Sequence, residues 1–341
     1  MVPGPAIDIQ RDRGIMNILI TGGSGFIGTN LVSDLLEEGH KVSIYDKQKS
    51  EAYPELCIVG DVRDKEKLAS SMHGVDAVYH LAAEHRDDVR PASLYYDVNV
   101  GGAENIVYAL EENCINRLIY TSTVAVYGLN PGEPDEDSPI KPFNDYGWSK
   151  YKTEIVFNDW AGADKTNTLV TVRPVVIFGE KNRGNVYNLL NQIASDRFIM
   201  VGNGKNKKSM GYVLNFVKFL TFLLKTAPGK YVYNYADKPD LRTDELLRIV
   251  RNALGRKPEI NFRVPYVIGL LGGYAFDFLA KVTGKTYPIS SIRIKKFCAD
   301  TQVSAEKLKE TGFTAPYLLN DGLEIMILSE FLQNPKRNNS Y

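Results

Sequence analysis

The sequence predicts an α/β protein, a doubly wound parallel sheet followed by a smaller C-terminal α/β lobe. Three observations lead there. Short apolar runs of strand type alternate with helical patterns through the first half of the chain. The glycine-rich turn Gly22-Gly23-Ser24-Gly25-Phe26-Ile27-Gly28 follows the first apolar run directly. Beyond Gly179 the alternation fades into helices and short strands.

The elements follow in order. NILIT at 17–21 is the first strand, and a helix runs over 26–38. In it Ile27, Leu31 and Leu35 share one face, Val32 and Leu36 flank it, and Gly39 stops it. Residues 41–46 and 56–59 read as the second and third strands, 64–72 as a helix, 77–81 as the fourth strand and 99–112 as a helix. Strands at 117–121 and 168–173 enclose the helix that carries Tyr146. The stretch 128–143, with Glu133, Asp135, Glu136 and Asp137, reads as an exposed excursion. A further strand at 231–235 is placed in the later lobe. Apolar strands joined by helices imply a parallel sheet covered on both faces. The organisation expected is a leader at 1–15 outside the fold, a first domain at 16–180, and at 181–335 mainly a second lobe, with room for some of it to rejoin the first sheet.

Bulk properties narrow the function. Over 341 residues, 41 basic and 41 acidic side chains cancel, so no general field draws the chain to nucleic acid or to a membrane surface. Cys57, Cys114 and Cys298 have no metal-ligand spacing and are odd in number, which fits free thiols in a reducing cytoplasm. Residues 1–15 lack the apolar core of a signal peptide. The apolar stretch 264–282, interrupted by Asp277, is read as a buried or interfacial helix and not as a stable membrane span.

The glycines of the turn have separate tasks. Gly22 permits the sharp exit from the strand, Gly25 lets backbone approach a pyrophosphate, and Gly28 lets the helix pack on the sheet. The helix start at Phe26 and Ile27 offers amides to phosphate. This makes the sheet Rossmann-type and implies a dinucleotide. Asp46 ends the second strand eighteen residues after Gly28, where a carboxylate accepts ribose hydroxyls and repels a 2′-phosphate, so the cofactor expected is NAD rather than NADP. Asp61 and Val62 after the third strand, and Leu81, Ala82 and Ala83 after the fourth, are the other contacts expected there.

Tyr146 and Lys150 are four apart and share a helix face. Bringing a phenol from pKa 10 to about 7 takes roughly 4 kcal/mol of differential stabilisation, part of which a neighbouring ammonium supplies. Such a pair moves a proton beside a nicotinamide. A hydroxyl to hold the substrate oxygen is available in Thr121-Ser122-Thr123, which leads into Val124-Ala125-Val126-Tyr127-Gly128.

With these segments the chain resembles the extended short-chain dehydrogenase/reductase family, the NAD-dependent sugar-nucleotide epimerases and dehydratases, over nearly all of 16–330. The resemblance implies that Thr123, Tyr146 and Lys150 are catalytic and that Asn99 is the buried asparagine near the active site. It also implies that Arg173-Pro174-Val175-Val176-Ile177-Phe178-Gly179 closes the site near the nicotinamide, with Pro174 in contact. The resemblance further implies that Lys208 falls where relatives carry a diphosphate-binding arginine, with Arg293 the expected second phosphate ligand or, as the alternative, Asn185 donating from a helix start. Val176 stands where relatives often have a substrate-contacting asparagine. Glu84 and His85 follow the fourth strand at the edge where a hexose would lie.

Val124 and Ala125 occupy the positions of the dehydratases' acid pair and cannot transfer protons, which argues against water elimination. No cysteine or histidine closely follows Thr123, which argues against the GDP-fucose-synthase-like epimerase–reductases. The expectation is an NAD-dependent epimerase of a nucleotide-diphosphate sugar, at C4 of a UDP-hexose or UDP-N-acetylhexosamine, through a transient 4-keto sugar. The alternatives are a nucleotide-sugar 4-ketoreductase using NAD(P)H and a non-catalytic dinucleotide sensor. Relatives usually dimerise through two helices, which here are those near 99–112 and 146–160.

Overall fold

The computed structural model describes residues 14–333 apart from 87–88, 130–131, 259–262, 286 and 288, so residues 1–13 of the expected leader lie outside the described residues. The chain forms two compact units. The first comprises the chain up to Ile177 with Val213–Ala236 and Val303–Pro316; the second comprises Phe178–Tyr212, Asp237–Gln302 and the chain from Tyr317 onward.

In chain order the elements begin with β1 (Asn17–Thr21), α1 (Phe26–Glu37), β2 (Lys41–Asp46), β3 (Cys57–Val59), α2 (Lys65–Ser71) and β4 (Ala77–His80). There follow α3 (Ser93–Glu112), β5 (Arg117–Thr121), a 3-10 turn (Val124–Tyr127), α4 (Asp145–Ala163), β6 (Thr168–Pro174) and β7 (Val176–Phe178). The next are α5 (Asn185–Ala194), β8 (Met200–Val201), β9 (Lys207–Tyr212), α6 (Val213–Phe222), β10 (Gly229–Tyr235) and β11 (Asp237–Arg242). The last are α7 (Thr243–Ala253), β12 (Arg263–Val264), α8 (Tyr266–Thr283), α9 (Ser291–Cys298), α10 (Glu306–Glu310) and α11 (Leu319–Ile327).

The first unit is built on a seven-stranded sheet in the order β10-β6-β5-β4-β1-β2-β3, with every pair parallel. The order reverses between β1 and β4, where open α/β sheets bind ligands. Thr21 pairs with Tyr45 and with His80, and His80 pairs with Tyr120, so the strands' carboxyl ends lie in one row.

Every residue of β4 and β5 is buried, as strands covered on both faces require. On one face Leu19, Val78, Leu118 and Leu169 pack against Leu68, Ile106 and Phe157 from α2, α3 and α4. On the other, Thr221 of α6 donates to Asp34 of α1 at 2.6 Å, and the Tyr79 hydroxyl donates to the Leu220 carbonyl at 2.9 Å. Each fully buried Leu or Phe contributes roughly 1.5–3 kcal/mol.

Four features depart from the sequence reading. Helix α3 starts at Ser93, six residues before Asn99; its N-cap, Ala92, offers no capping side chain, so no start signal is legible there. The strand at 231–235 is β10, on the edge of the first unit's sheet beside β6. The stretch 128–143 is not simply an exposed excursion. Glu136 in it is buried and accepts the Asn234 amide at 2.6 Å, while the Pro134 carbonyl accepts from Asn234 Nδ2 and the Ser304 amide. The apolar stretch 264–282, expected as a buried or interfacial helix, contributes most of α8, of which only Gly273 is buried, so the buried alternative does not hold.

The second unit has an antiparallel pair, β9 with β11, a short parallel pair, β8 with β12, and helices α8 and α9 packed together.

Candidate active site

At the end of β1 the backbone leaves no space for side chains. Gly22 has φ +74, and a Cβ on it would lie 2.6 Å from the Ala82 amide nitrogen. A Cβ on Gly28 would lie 2.4 Å from the Gly22 carbonyl oxygen and 2.5 Å from the Gly23 Cα. On Gly25 the nearest atom would be 3.3 Å away, so there the room is for something outside the turn. Helix α1 begins on Gly25, and no side chain caps the first amides at Phe26 and Ile27. An uncapped helix start behind a glycine-rich turn fits a diphosphate.

Asp46 is fixed at the end of β2 by two amides, Ser24 to Oδ2 at 3.0 Å and Gln48 to Oδ1 at 3.0 Å. Asp61 is engaged elsewhere. Arg63 binds its two carboxylate oxygens at 3.0 and 2.7 Å, and these hydrogen bonds hold the carboxyl below its usual range. The Asp61 carbonyl meanwhile accepts from the Tyr45 hydroxyl at 3.0 Å. Val62 is buried, its Cγ2 only 2.8 Å from where a Gly102 Cβ would stand. Leu81, Ala82 and Ala83 are half-buried, with Ala82 facing Gly22.

The residues expected to carry the chemistry lie on α4 and just after β5 in the same unit. Asn144 caps α4, its Oδ1 accepting from the Gly147 amide at 2.9 Å, which places Tyr146 in the first turn and Lys150 in the next. Tyr146 is half-buried, its ring 6.4 Å from that of Tyr95. Lys150 is buried and donates to the Thr121 carbonyl at 2.7 Å, with its ammonium 4.4 Å from the centre of the Tyr120 ring. Burial lowers its pKa to about 7, against the pull of the Glu154 carboxylate. Thr123 caps the 3-10 turn by accepting the Ala125 amide at 3.1 Å, which leaves its hydroxyl proton to donate. Pro174 ends β6 and is buried.

Asn99 works as a clamp. Its Oδ1 accepts the Glu84 amide at 2.8 Å, and its Nδ2 donates to the Glu84 carbonyl at 3.1 Å and to Ser149 at 2.8 Å. Both amide protons are thus committed to protein partners, so Asn99 bears on the site by positioning the Glu84 segment against α4. Glu84 itself is buried, and Arg86 binds its carboxylate at 3.1 and 3.2 Å, which lowers its pKa. His85 is exposed beside it.

Behind Thr123 lies a buried polar chain that sequence reasoning missed in part. Ser122 donates to Glu154 Oε1 at 2.5 Å; Arg173 binds both Glu154 oxygens at 3.0 and 2.7 Å. Arg173 also donates to the Tyr127 hydroxyl at 2.7 Å, and Tyr127 donates to Asn234 Oδ1 at 2.8 Å. Burial opposes the charge on Arg173, and the paired Glu154 carboxylate restores it. Ser122, Tyr127 and Arg173 lie in segments the sequence analysis singled out; Glu154, which joins them, was missed, although it lies one turn beyond Lys150 on the same helix face.

The remaining expected substrate residues belong to the second unit. Asn185 is the exposed first residue of α5. Lys208 is half-buried and donates to the Lys296 carbonyl at 3.0 Å and the Ala299 carbonyl at 2.6 Å. Burial lowers its pKa to about 8. Two of its three protons thus satisfy carbonyls at the end of α9, where a cation is favoured. Arg293 is exposed on α9 and donates to the Tyr287 carbonyl at 3.3 Å.

A glycine cradle at the sheet's switch point, with a Thr, Tyr and Lys in the same unit, defines a nicotinamide-dinucleotide enzyme. The NAD dependent epimerase/dehydratase family model matches residues 18–236, and the chain belongs to that family. It is 50% identical over 322 residues to N-acetyl-α-D-glucosaminyl-diphospho-ditrans,octacis-undecaprenol 4-epimerase of Escherichia coli O157:H7, covering 94% of this chain and 97% of that one. Its fold is that of UDP-glucose 4-epimerase of Thermus thermophilus, solved with NAD, at TM-score 0.72 and 22% identity over 92% of this chain and 98% of the other. UDP-N-acetylglucosamine 4-epimerase of Bacillus cereus is similar at TM-score 0.71 and 22% identity, over 92% and 99% of the two chains.

Proposed function

We propose that the chain is an NAD-dependent C4-epimerase of an N-acetylhexosamine carried on a diphosphate, with a polyprenol as the carrier. The observation that carries the chemistry is Lys150, buried one turn beyond Tyr146 with its pKa brought down to about 7. The half-identical Escherichia coli relative supports the position and the carrier. A nucleoside diphosphate, the carrier the family resemblance implies, is the second reading.

Tyr146, as phenolate, takes the proton of the C4 hydroxyl, and Thr123 donates a hydrogen bond to the same oxygen. Lys150 stabilises the phenolate. When bound, the nicotinamide supplies a reversible two-electron oxidation at C4. The 4-keto sugar then presents its other face and is reduced there, and Tyr146 returns the proton. One proton leaves and one comes back, so the only net change is the inverted configuration. Val124 and Ala125, beside Thr123, carry no group that could eliminate water.

Asp46 supports NAD over NADP: a 2′-phosphate would meet a carboxylate already fixed by two amides. Trp148 and Ile155, exposed on α4, offer an apolar face for the homodimer the family implies. The free cysteines suit a reducing cytoplasm.

The test incubates purified protein and NAD with N-acetylglucosaminyl-diphosphopolyprenol and, separately, with UDP-N-acetylglucosamine. The expected result is galacto product from the first, with Tyr146→Phe slower by about 10²–10⁴-fold. Product from the UDP sugar alone would move the assignment to the nucleoside carrier. No product from either, or full activity in Tyr146→Phe, would end it.

A further inference from the structure

We propose that α8 is a membrane-docking element that lies in the headgroup layer of an anionic bilayer with its apolar stripe among the acyl chains. The proposal rests on the polyprenol reading above, since a substrate with such a tail is held in a bilayer.

Helix α8 distributes its side chains the wrong way round for water. Gly273 is its one buried residue, and a Cβ there would stand 2.8 Å from Ser291 backbone atoms of α9. Gly269, one turn earlier, presses in the same way on Val201, at 2.6 Å. The closest approaches on the packed side are thus made at glycines. The large apolar residues point elsewhere: Val267, Leu271, Tyr274, Phe278 and Val282 are 66%, 64%, 48%, 67% and 67% exposed. At about 100° per residue these five fall within roughly 80° of one another, a continuous stripe along the helix. A row of this size marks an interaction surface rather than scattered apolar exposure.

Charge selects the partner. Lys281 and Lys285 are exposed at the end of the helix, and exposed Lys295 of α9 donates to the Tyr274 hydroxyl at 2.9 Å, at the edge of the stripe. The helix's one acid, Asp277, is turned to the Ser291 amide at 3.1 Å. The border of the stripe is therefore basic. Around a two-fold axis that border would face itself, whereas anionic headgroups complement it.

Eighteen residues, about 27 Å, would suffice to cross the hydrocarbon layer. The packing argues for lying flat instead. Helix α9 packs along α8 and carries Arg293, Lys295 and Lys296, so crossing would drag three cations inward. An apolar face with a cationic margin is what interfacial helices present.

The test is co-sedimentation of the full-length protein with vesicles of phosphatidylcholine and of phosphatidylcholine mixed with phosphatidylglycerol. The expected result is binding, stronger with phosphatidylglycerol. Leu271→Glu/Phe278→Glu should bind at least tenfold more weakly, and Lys281→Glu/Lys285→Glu should lose only the phosphatidylglycerol enhancement. A parallel assay uses N-acetylglucosamine diphosphate on a short, water-soluble prenyl chain, which all three proteins should turn over equally. Vesicle binding by the wild type that Leu271→Glu/Phe278→Glu abolishes supports docking even if that soluble substrate is refused, in which case the carrier reading alone fails. Wild type remaining in the supernatant, or the Leu271→Glu/Phe278→Glu protein pelleting equally well, overturns the proposal. So does a dimer that Leu271→Glu/Phe278→Glu makes monomeric without vesicle binding, since the stripe would then be a self-interface.

Discussion

Lys150 donates to the backbone carbonyl of Thr121 at 2.7 Å, while the hydroxyl of that same threonine is buried without a hydrogen-bond partner. The ammonium is therefore tied to the end of β5 by one carbonyl in a setting that disfavours its charge. Burial brings its pKa to about 7, and Glu154 one turn on prevents a further fall. An ammonium balanced near neutrality gains or loses its proton at small cost.

This balance has a pH signature. The pKa in the unfolded chain is near 10.5 and in the folded chain about 7, so between these values the unfolded chain binds more protons. Stability then rises with pH across the window, by up to about 1.4 kcal/mol per unit, and the contribution is lost as pH falls toward 7. Urea unfolding at pH 7 and pH 9 should show this gain in the wild type relative to Lys150→Met. Lysine 13Cε NMR should find one side chain titrating near 7. A Lys150 that titrates with the exposed lysines would contradict it.

The glycine turn separates steric need from ligand need. Gly28→Ala would put a methyl group 2.4 Å from a carbonyl oxygen, and should cost about 1–3 kcal/mol of stability along with dinucleotide affinity. Gly25→Ala meets its nearest atom at 3.3 Å and should melt close to the wild type. Its affinity for NAD, by titration calorimetry, should still fall at least tenfold. Unchanged affinity in Gly25→Ala would mean that the cradle is a packing feature only.

The buried pair behind the site should be costly to break. Glu154→Gln leaves the Arg173 guanidinium buried against a neutral amide, with an expected loss of about 3–5 kcal/mol in denaturant unfolding. Glu154→Gln combined with Arg173→Met should recover part of that loss. A loss below about 1 kcal/mol in the single variant would show that the pair is not a structural support.

The contrast between these sites explains what sequence could reveal. The glycine turn and the Tyr146–Lys150 pair are local patterns, whose spacing alone puts the groups on one turn or one helix face. The Glu136–Asn234 contact joins positions 98 apart, and each reads singly as a loop acid or a strand asparagine. Strand β10 was visible as a strand, but the sheet it would join was not, because parallel pairing depends on crossovers that leave no local mark. The role of α8 was hidden for another reason. An apolar helix reads alike whether its large residues face a core or the outside, and only the glycine contacts at 269 and 273 show the direction.

Asp46 should govern the choice of dinucleotide. Asp46→Ser removes the carboxylate that would repel a 2′-phosphate while keeping a polar group for Ser24 and Gln48. The ratio of NADP to NAD affinity should rise at least tenfold in equilibrium titrations. An unchanged ratio would place the discrimination elsewhere.

The most direct test of the C4 chemistry uses N-acetylglucosaminyl-diphosphopolyprenol labelled with deuterium at C4, with product and dinucleotide measured together. Epimerisation through a 4-keto sugar gives galacto product that keeps the deuterium, with no net accumulation of reduced dinucleotide. Loss of the label to water, or reduced dinucleotide formed in step with a keto product, would contradict it.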